Sequence, residues 1–158
     1  MEQRKFRKND VIFRQGDAAE CMYAVRGGSV GVYLDFGGPG ELMLTELYTG
    51  QFLGEMGLLE SAPRSATAVA LADDTALDVI TESDYLAIFN ENPEQFMNML
   101  QQMCSRLRRV TRDYAEACRT VADVVEAEKA GEEKSDALRH RIAKTLAGYQ
   151  NAAPAEEE

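Results

Sequence analysis

The chain has 158 residues, enough for one domain with a sizeable core and some additional helix. Its formal net charge of -10 comes from 17 basic and 27 acidic residues. Such a protein is repelled by bulk nucleic acid and by anionic membranes, so we expect neither DNA nor a membrane as its partner. It has no apolar run of transmembrane length and no signal-peptide pattern at its N-terminus, which predicts a cytoplasmic protein.

The N-terminal half carries the pattern of short β-strands. Between Val11 and Ile80, short apolar or alternating runs are separated by turns rich in Gly, Asp and Pro. The clearest turns are Gln15-Gly16-Asp17, Gly27-Gly28 and the loop at residues 37–40. Strands this short, with turns this frequent, predict an antiparallel sandwich or barrel.

The number and spacing of the cysteines do not predict disulfide bonds. The three cysteines are Cys21, Cys104 and Cys118, an odd number without C-x-x-C spacing. We therefore expect no disulfide framework and no metal site, and thiols that are buried or idle in a reducing compartment.

Residues 50–67 form the most informative segment, where a strand is followed by a glycine turn, a short apolar helix and Pro-Arg. Gly54 and Gly57 leave the backbone open to a ligand. A short helix that begins near Met56 would direct its N–H groups at an anion, and the planar fork of Arg64 follows closely. Glu55 is an acceptor beside this anion-binding loop, which fits hydrogen bonds from sugar hydroxyls.

The pattern becomes helical at Thr81. Residues 81–84 provide capping and first-turn acidic groups for one helix, and Pro93 is placed to open the next. The second helix, residues 93–130, would be roughly 45–55 Å long. Its apolar or small residues follow an unbroken heptad spacing: Phe96, Leu100, Met103, Leu107, Val110, Tyr114, Ala117, Val121 and Val124.

This stripe is too long for one small barrel to cover, so its distal half needs another partner. We expect a homodimer formed through residues 96–124, and a downstream protein partner is the further option. Beyond Gly131 the sequence predicts a terminal helix at residues 131–150 and a disordered acidic tail at residues 151–158. Residues 1–92 would form the β-barrel with its first helix.

Residues 50–67 resemble the phosphate-binding cassette of the cyclic nucleotide-binding domain family. This family includes catabolite activator proteins and the regulatory subunit of protein kinase A. The resemblance extends over about residues 5–110. The motifs that carry it are Gly54-Glu55, Leu58-Leu59 and Pro63-Arg64-Ser65-Ala66-Thr67, preceded by Gln15-Gly16-Asp17, Met22-Tyr23 and Gly28-Ser29-Val30.

The resemblance implies a role for each residue of the cassette. Glu55 would bind the ribose 2′-OH and Arg64 the cyclic phosphate. The backbone N–H groups of four residues and the hydroxyl of Ser65 would complete the cradle; those four are Gly54, Met56, Gly57 and Ala66.

The base contacts follow from the resemblance less directly. Val69 would line the base pocket, and a residue on the long helix would cover the base. The candidates for this lid are Arg108, Arg109, Arg112 and Tyr114, and the sequence does not choose among them. Within the family, Thr after the arginine tends to accompany cGMP and Ala cAMP. Ser65 stands there, and we place cAMP ahead of cGMP as the ligand.

An enzyme is not expected. The only histidine, His140, lies among basic residues of the terminal helix, and no nucleophile–base pair or phosphate-binding P-loop can be assembled. A DNA-reading element is also missing, since only about 20 residues of predicted helix follow Gly131. The basic stretch from Arg106 to Arg119 is interpreted as a solvated helix face.

The sequence thus predicts an α+β protein: an antiparallel β-barrel of jelly-roll type followed by helices, the last long and of heptad character. Its predicted function is that of a sensor module that binds a cyclic nucleotide and transmits binding through its C-terminal helices. The alternative is a dimerisation or scaffold protein whose degenerate barrel no longer binds nucleotide.

Overall fold

The computed structural model describes residues 2–91 and 93–129, which form eight short strands and three helices, with the first helix between the sixth and seventh strands. The strands are β1 (Gln3–Phe6), β2 (Val11–Phe13), β3 (Cys21–Gly27), β4 (Ser29–Leu34), β5 (Leu42–Tyr48), β6 (Phe52–Leu53), β7 (Thr67–Ala70) and β8 (Thr75–Thr81). The helices are α1 (Glu55–Glu60), α2 (Glu82–Glu91) and α3 (Pro93–Lys129). The chain divides into two compact units, Met1–Leu100 and Gln101–Glu158.

The strands form two four-stranded antiparallel sheets. One sheet has the order β1-β8-β3-β6 and the other β2-β7-β4-β5. Their inner faces share one buried cluster, which includes Val25 and Leu77 of the first sheet and Val30, Leu47 and Ala68 of the second. Antiparallel sheets followed by a long helix are confirmed. Closure of the sheets into a barrel stays a prediction.

Strand β3 is the centre of the first unit because it is buried on both faces. Tyr23 and Val25 join the cluster between the sheets. Met22 and Ala24, which alternate with them, join a second cluster with residues of the helices. A strand covered on both sides reads as a continuous apolar run, as Met22 to Val25 does.

Helices α2 and α3 begin where the sequence predicts. Thr81 and Asp84 cap α2 reciprocally: the Thr81 N–H donates to Asp84 Oδ2 over 3.0 Å, and the Asp84 N–H donates to Thr81 Oγ1 over 3.4 Å. Pro93 is the first residue of α3, where its missing N–H costs nothing. In the first unit, Met99 is buried in the second cluster, and Phe96 packs against it.

In the second unit, the apolar stripe of α3 is exposed to solvent. Leu107 is 67% exposed and Tyr114 70%, with Val110 and Val121 similarly open. The heptad packing stays a prediction, and residues 131–158 lie outside the described part. No helix among the described residues is both long and apolar enough to cross a membrane.

We expect Gly28→Ala to destabilise the first unit. Gly28 has φ +74°, and an added Cβ would lie 2.4 Å from Thr75 Oγ1 and 2.9 Å from Thr75 Cα. Thr75 is fully buried, so it cannot move away. Backbone strain and overpacking together predict a loss of about 1–3 kcal/mol in the free energy of unfolding, measured with urea.

The adjacent glycine provides the matched control for this prediction. A Cβ at Gly27 would meet nothing within 4 Å, and its φ is not positive. Gly27→Ala should change the free energy of unfolding by less than about 0.5 kcal/mol. Equal effects of the two substitutions would contradict the close approach of Gly28 and Thr75.

Candidate anion-binding site

The site starts from a sharp turn at Gly54, between β6 and α1. Gly54 adopts a left-handed conformation with φ 74° and is the N-cap residue of α1. A Cβ here would lie 2.5 Å from Arg64 Nη1. Only glycine satisfies both the backbone conformation and the close approach of the arginine.

Helix α1 is a single short segment whose residues differ sharply in burial. Glu55, its first residue, is 2% exposed, whereas Met56 is 46% exposed. Gly57 is buried, and a Cβ on it would lie 2.6 Å from Ala19 Cβ. The helix ends at Ser61 in a left-handed conformation. The chain can therefore reverse within a few residues and bring Arg64 back to the start of the helix.

The segment after α1 is held by the turn at residues 15–17. The Arg64 N–H donates to the Asp17 carbonyl over 2.8 Å, and the Gly16 N–H donates to the Arg64 carbonyl over 2.9 Å. The Gln15 N–H donates to Thr67 Oγ1 over 3.0 Å. These bonds explain why the early Gln-Gly-Asp turn accompanies the later Pro-Arg segment.

The Arg64 guanidinium is the central group of the site, and it is only 5% exposed. Its Nη1 donates to the Gly54 carbonyl over 2.9 Å, and its Nη2 to the Cys21 carbonyl over 2.6 Å. The guanidinium carbon lies 4.3 Å from the centroid of the Phe13 ring and 6.0 Å from that of Tyr23. Two carbonyls and an aromatic face thus fix its orientation.

One nitrogen of this guanidinium has no hydrogen-bond partner. Arg64 Nε is buried and has no hydrogen-bond partner. No carboxylate forms an ion pair with Arg64 in the described part of the chain. A buried cation without an acidic partner is costly, and an anion that accepted from Nε would remove that cost. The geometry therefore fits an anionic ligand such as a phosphate.

Two aromatic rings form one wall of the site. The rings of Phe13 and Tyr23 stack with centroids 6.0 Å apart and an angle of 19° between their planes. Burial, and next a hydrogen bond with the Cys21 side chain, raise the pKa of Tyr23 to about 12. Tyr23 is therefore a neutral hydrogen-bond donor at physiological pH, next to Cys21 and Arg64.

The structure brings most of the predicted cassette together around this turn. Gly54 and Arg64 are in direct contact, and Glu55 and Gly57 begin the adjoining helix. Ser65 is exposed immediately after the arginine, while Ala66 is 5% exposed. The binding roles of these residues remain predictions.

The side chain of Val69 does not lie on the face of β7 that is directed toward the ring of Phe13. It lies opposite Gly31 in the register of β7 and β4, whereas Ala68 lies opposite Val32. Ala68 belongs to the cluster against which Phe13 also packs. Because side chains alternate along a strand, Val69 lies on the other face of β7.

The four lid candidates lie on α3 in the second unit. Arg108, Arg109, Arg112 and Tyr114 are all exposed. Arg112 Nε lies 3.7 Å from Asp113 Oδ1, an exposed ion pair that contributes little to stability. Their role as a lid remains a prediction.

Sequence reasoning missed the groups that hold the arginine. The Cys21 contact is made by a backbone carbonyl, which no residue type reveals. Phe13 was interpreted only as part of the first strand, and Tyr23 only as part of the next strand and of one motif of the resemblance. An aromatic residue two positions before the Gln-Gly-Asp turn was the one available signal.

A small α+β fold that holds a buried, incompletely bonded arginine beside a glycine turn defines a module for a phosphate-bearing ligand. Comparison with known proteins gives the family: residues 3–92 match the model of the cyclic nucleotide-binding domain. The chain therefore belongs to the cyclic nucleotide-binding domain family.

Two relatives illustrate the relationship. The chain is 36% identical over 107 residues to the cyclic AMP receptor protein of Thermus thermophilus, covering 68% of this chain and 49% of that protein. It is 35% identical over 83 residues to a cAMP-dependent protein kinase regulatory subunit of Blastocladiella emersonii, covering 51% of this chain and 21% of that protein. The chain thus spans about half the length, or less, of these relatives.

A solved structure shows that the similarity extends to the fold. The crystal structure of the Thermus thermophilus catabolite activator protein superposes with a TM-score of 0.65 at 28% identity. The match covers 93% of this chain and 77% of that one. The fold of this chain is therefore similar to that of a catabolite activator protein.

The stacking of Arg64 on Phe13 should be measurable by a double-mutant cycle. Phe13→Leu keeps an apolar side chain but removes the ring face, and Arg64→Met removes the charge. We expect a coupling energy of about 0.5–2 kcal/mol between the two substitutions, obtained from urea unfolding of the four proteins. Additive effects would mean that the ring only fills space.

Proposed function

We propose that this chain is a sensor that binds cAMP at the turn formed by Gly54, Glu55 and Arg64. The observation that carries the proposal is the buried Nε of Arg64, which has no partner while the rest of the guanidinium is fixed. A cyclic phosphate would accept from this donor and neutralise the buried charge. Glu55, at the adjoining start of α1, would accept from the ribose 2′-OH.

The choice of cAMP over cGMP has separate support. The two relatives described above are a cyclic AMP receptor protein and a regulatory subunit of a cAMP-dependent protein kinase. Ser65 stands where Thr tends to accompany cGMP and Ala cAMP in the family, so the relatives and not this position carry the choice. cGMP remains the second candidate ligand.

Transmission of binding is proposed to pass through α1. Leu58 of α1 packs against the second cluster, which contains Met99, and Phe96 of α3 packs against the same cluster. A ligand that contacts Glu55 at one end of α1 would therefore bias the packing of the adjacent helices. Such a shift requires tighter binding to one helix arrangement than to the other.

The exposed stripe on α3 supports a homodimer. Leu107, Val110, Tyr114 and Val121 are each 59–70% exposed, on the same face of one helix. The heptad spacing of this stripe fits a second copy of the same helix. The chain is proposed to act without catalysis and without DNA, since its net charge of -10 opposes nucleic acid binding.

The same stripe also fits the second candidate, a dimerisation scaffold whose barrel no longer binds nucleotide. Both proposals predict a dimer, but they give Arg64 different roles. The scaffold predicts that no cyclic nucleotide binds and that substitutions at Arg64 affect stability alone.

Calorimetric titration with cAMP and cGMP tests the sensor directly. We expect Arg64→Ala to weaken binding by about 2–4 kcal/mol, because the buried phosphate would lose its charged partner. Arg64→Lys keeps the charge without the fork and should lose less of the binding free energy. Circular dichroism must show that each variant is folded.

Arg14→Ala provides the matched control, because Arg14 is an exposed arginine in the turn that holds Arg64. It should bind cAMP as the unaltered protein does. If the folded, unaltered protein bound neither nucleotide, the sensor proposal would fail and the scaffold would remain.

Sedimentation of single-site variants tests the dimer. Leu107→Glu places a charge in the exposed stripe and should shift the unaltered dimer to a monomer at micromolar concentration. Ser105→Glu adds the same charge on an exposed position of α3 outside the stripe and should leave the dimer intact. A monomeric unaltered protein at high concentration would contradict the dimer.

A further inference from the structure

The thiol of Cys21 lies at the arginine of the candidate site and is not used by the proposed function. Its Sγ is 3.9 Å from Arg64 Nη2, the same nitrogen that donates to the Cys21 carbonyl. The side chain of Tyr23 lies on the same face of β3 as that of Cys21, and an interaction with the Cys21 side chain contributes, after burial, to the raised pKa of Tyr23. A cationic donor and a neutral hydroxyl therefore lie on the side of the strand where the sulfur atom is.

Two further observations distinguish this thiol from an ordinary core cysteine. Cys21 is only partly buried. Arg64 is only 5% exposed, and its Nε has no hydrogen-bond partner. The surroundings of the sulfur thus contain an unused buried donor on a cation, which favours an anionic occupant.

We propose that Cys21 is an oxidative modification site, and that its oxidation by a hydroperoxide prevents anion binding at Arg64. The second half of this proposal rests on the proposed function, whereas the first half does not. The cationic guanidinium would stabilise the negative charge of the attacking sulfur and of its oxidised products.

The chemistry balances with hydrogen peroxide as the oxidant. The sulfur attacks one peroxide oxygen, so that an S–O bond forms as the O–O bond breaks. The departing hydroxide takes up the thiol proton and leaves as water, giving a sulfenic acid. The sulfur is oxidised and the peroxide is reduced. A second peroxide molecule converts the sulfenic acid into a sulfinic acid, which loses its proton to become a sulfinate.

A sulfinate at this position would compete with the ligand. Its oxygens would accept from Arg64 and from the Tyr23 hydroxyl, and so occupy the donors that a phosphate needs. Its negative charge would also repel the phosphate across the same short distance. A bound cyclic nucleotide should in turn slow the oxidation of Cys21 by peroxide, because its phosphate would occupy the donors next to the sulfur.

Reactivity of the thiol is tested first, without any nucleotide. The full chain is treated with hydrogen peroxide, sulfenic acid is trapped with dimedone, and each cysteine peptide is quantified by mass spectrometry. Cys104 and Cys118, which are exposed on α3, are internal controls. We expect Cys21 to be labelled faster than either of them.

Two variants connect this reactivity to the neighbouring donors. Labelling of Cys21 should slow about tenfold in Arg64→Met, and it should also slow in Tyr23→Phe, which keeps the ring and the fold. If Cys21 is not labelled, or if it is labelled equally in the unaltered protein and in folded Tyr23→Phe and Arg64→Met, the modification site is wrong.

Ligand binding is tested next, in a Cys104→Ser/Cys118→Ser protein that retains Cys21. Peroxide treatment should raise the Kd for cAMP about tenfold or more, since oxidised Cys21 competes for the same donors. Adding Cys21→Ser should abolish this effect, because serine keeps the backbone carbonyl that holds Arg64. Saturating cAMP should slow dimedone labelling of Cys21.

The outcomes separate the two proposals. If the reduced protein binds neither cAMP nor cGMP, the proposed function fails, while the labelling rates still decide the modification site. If the reduced and oxidised proteins bind cAMP equally, and mass spectrometry shows that Cys21 is oxidised, the inhibitory role of Cys21 is overturned.

Discussion

The candidate site depends on a single buried cation, the guanidinium of Arg64. An arginine that is 5% exposed and lacks an acidic partner in the described residues would be strongly destabilising without other compensation. Here two backbone carbonyls and the face of Phe13 offset part of that cost. The same contacts tie the turn at Gly54 to the start of β3. Arg64 therefore holds the site together without a ligand. Its Nε, which has no partner, shows that the site lacks a hydrogen-bond acceptor at this position.

Helix α1 links this cation to the helical part of the first unit. Its first residue, Glu55, is buried next to the glycine turn, and its fourth, Leu58, packs against the cluster around Met99. A helix this short has little freedom to deform internally, so a change at one end is felt at the other. The tight approach of Gly57 to Ala19 adds to this rigidity. In the proposed sensor, ligand binding would thus be transmitted by repacking of the cluster around Met99.

The sequence indicated the local features of the fold well, because they depend on residue types with few alternatives. Gly54 is required by a left-handed turn, Pro93 marks the start of a helix, and Thr81 with Asp84 forms a cap. Strand β1 was missed because three of its four residues are exposed and polar, so it lacks the alternation of a buried strand. It is identifiable only through its pairing with β8.

Contacts between distant segments were also beyond the sequence. The stacking of Arg64 on Phe13 joins residues far apart in the chain, and the second carbonyl acceptor belongs to the backbone of Cys21. The face on which Val69 lies follows from the register of β7 and β4. Such features depend on how the strands pair, and the register of that pairing cannot be inferred from the type of any single residue. The resemblance to a family supplied the roles that residue patterns alone could not.

The way in which Arg64 is held also affects which anions the site accepts. Part of its fork is already bonded to the carbonyls of Gly54 and Cys21, so an incoming phosphate meets fewer donors than a free arginine offers. A bare inorganic phosphate, with nothing else to bind, gains too little from the remaining donors to be held well. A ligand that carries a sugar and a base has further groups to contribute. In the proposed sensor, an arginine with part of its fork already bonded would therefore disfavour simple anions relative to a ligand that also carries a sugar and a base.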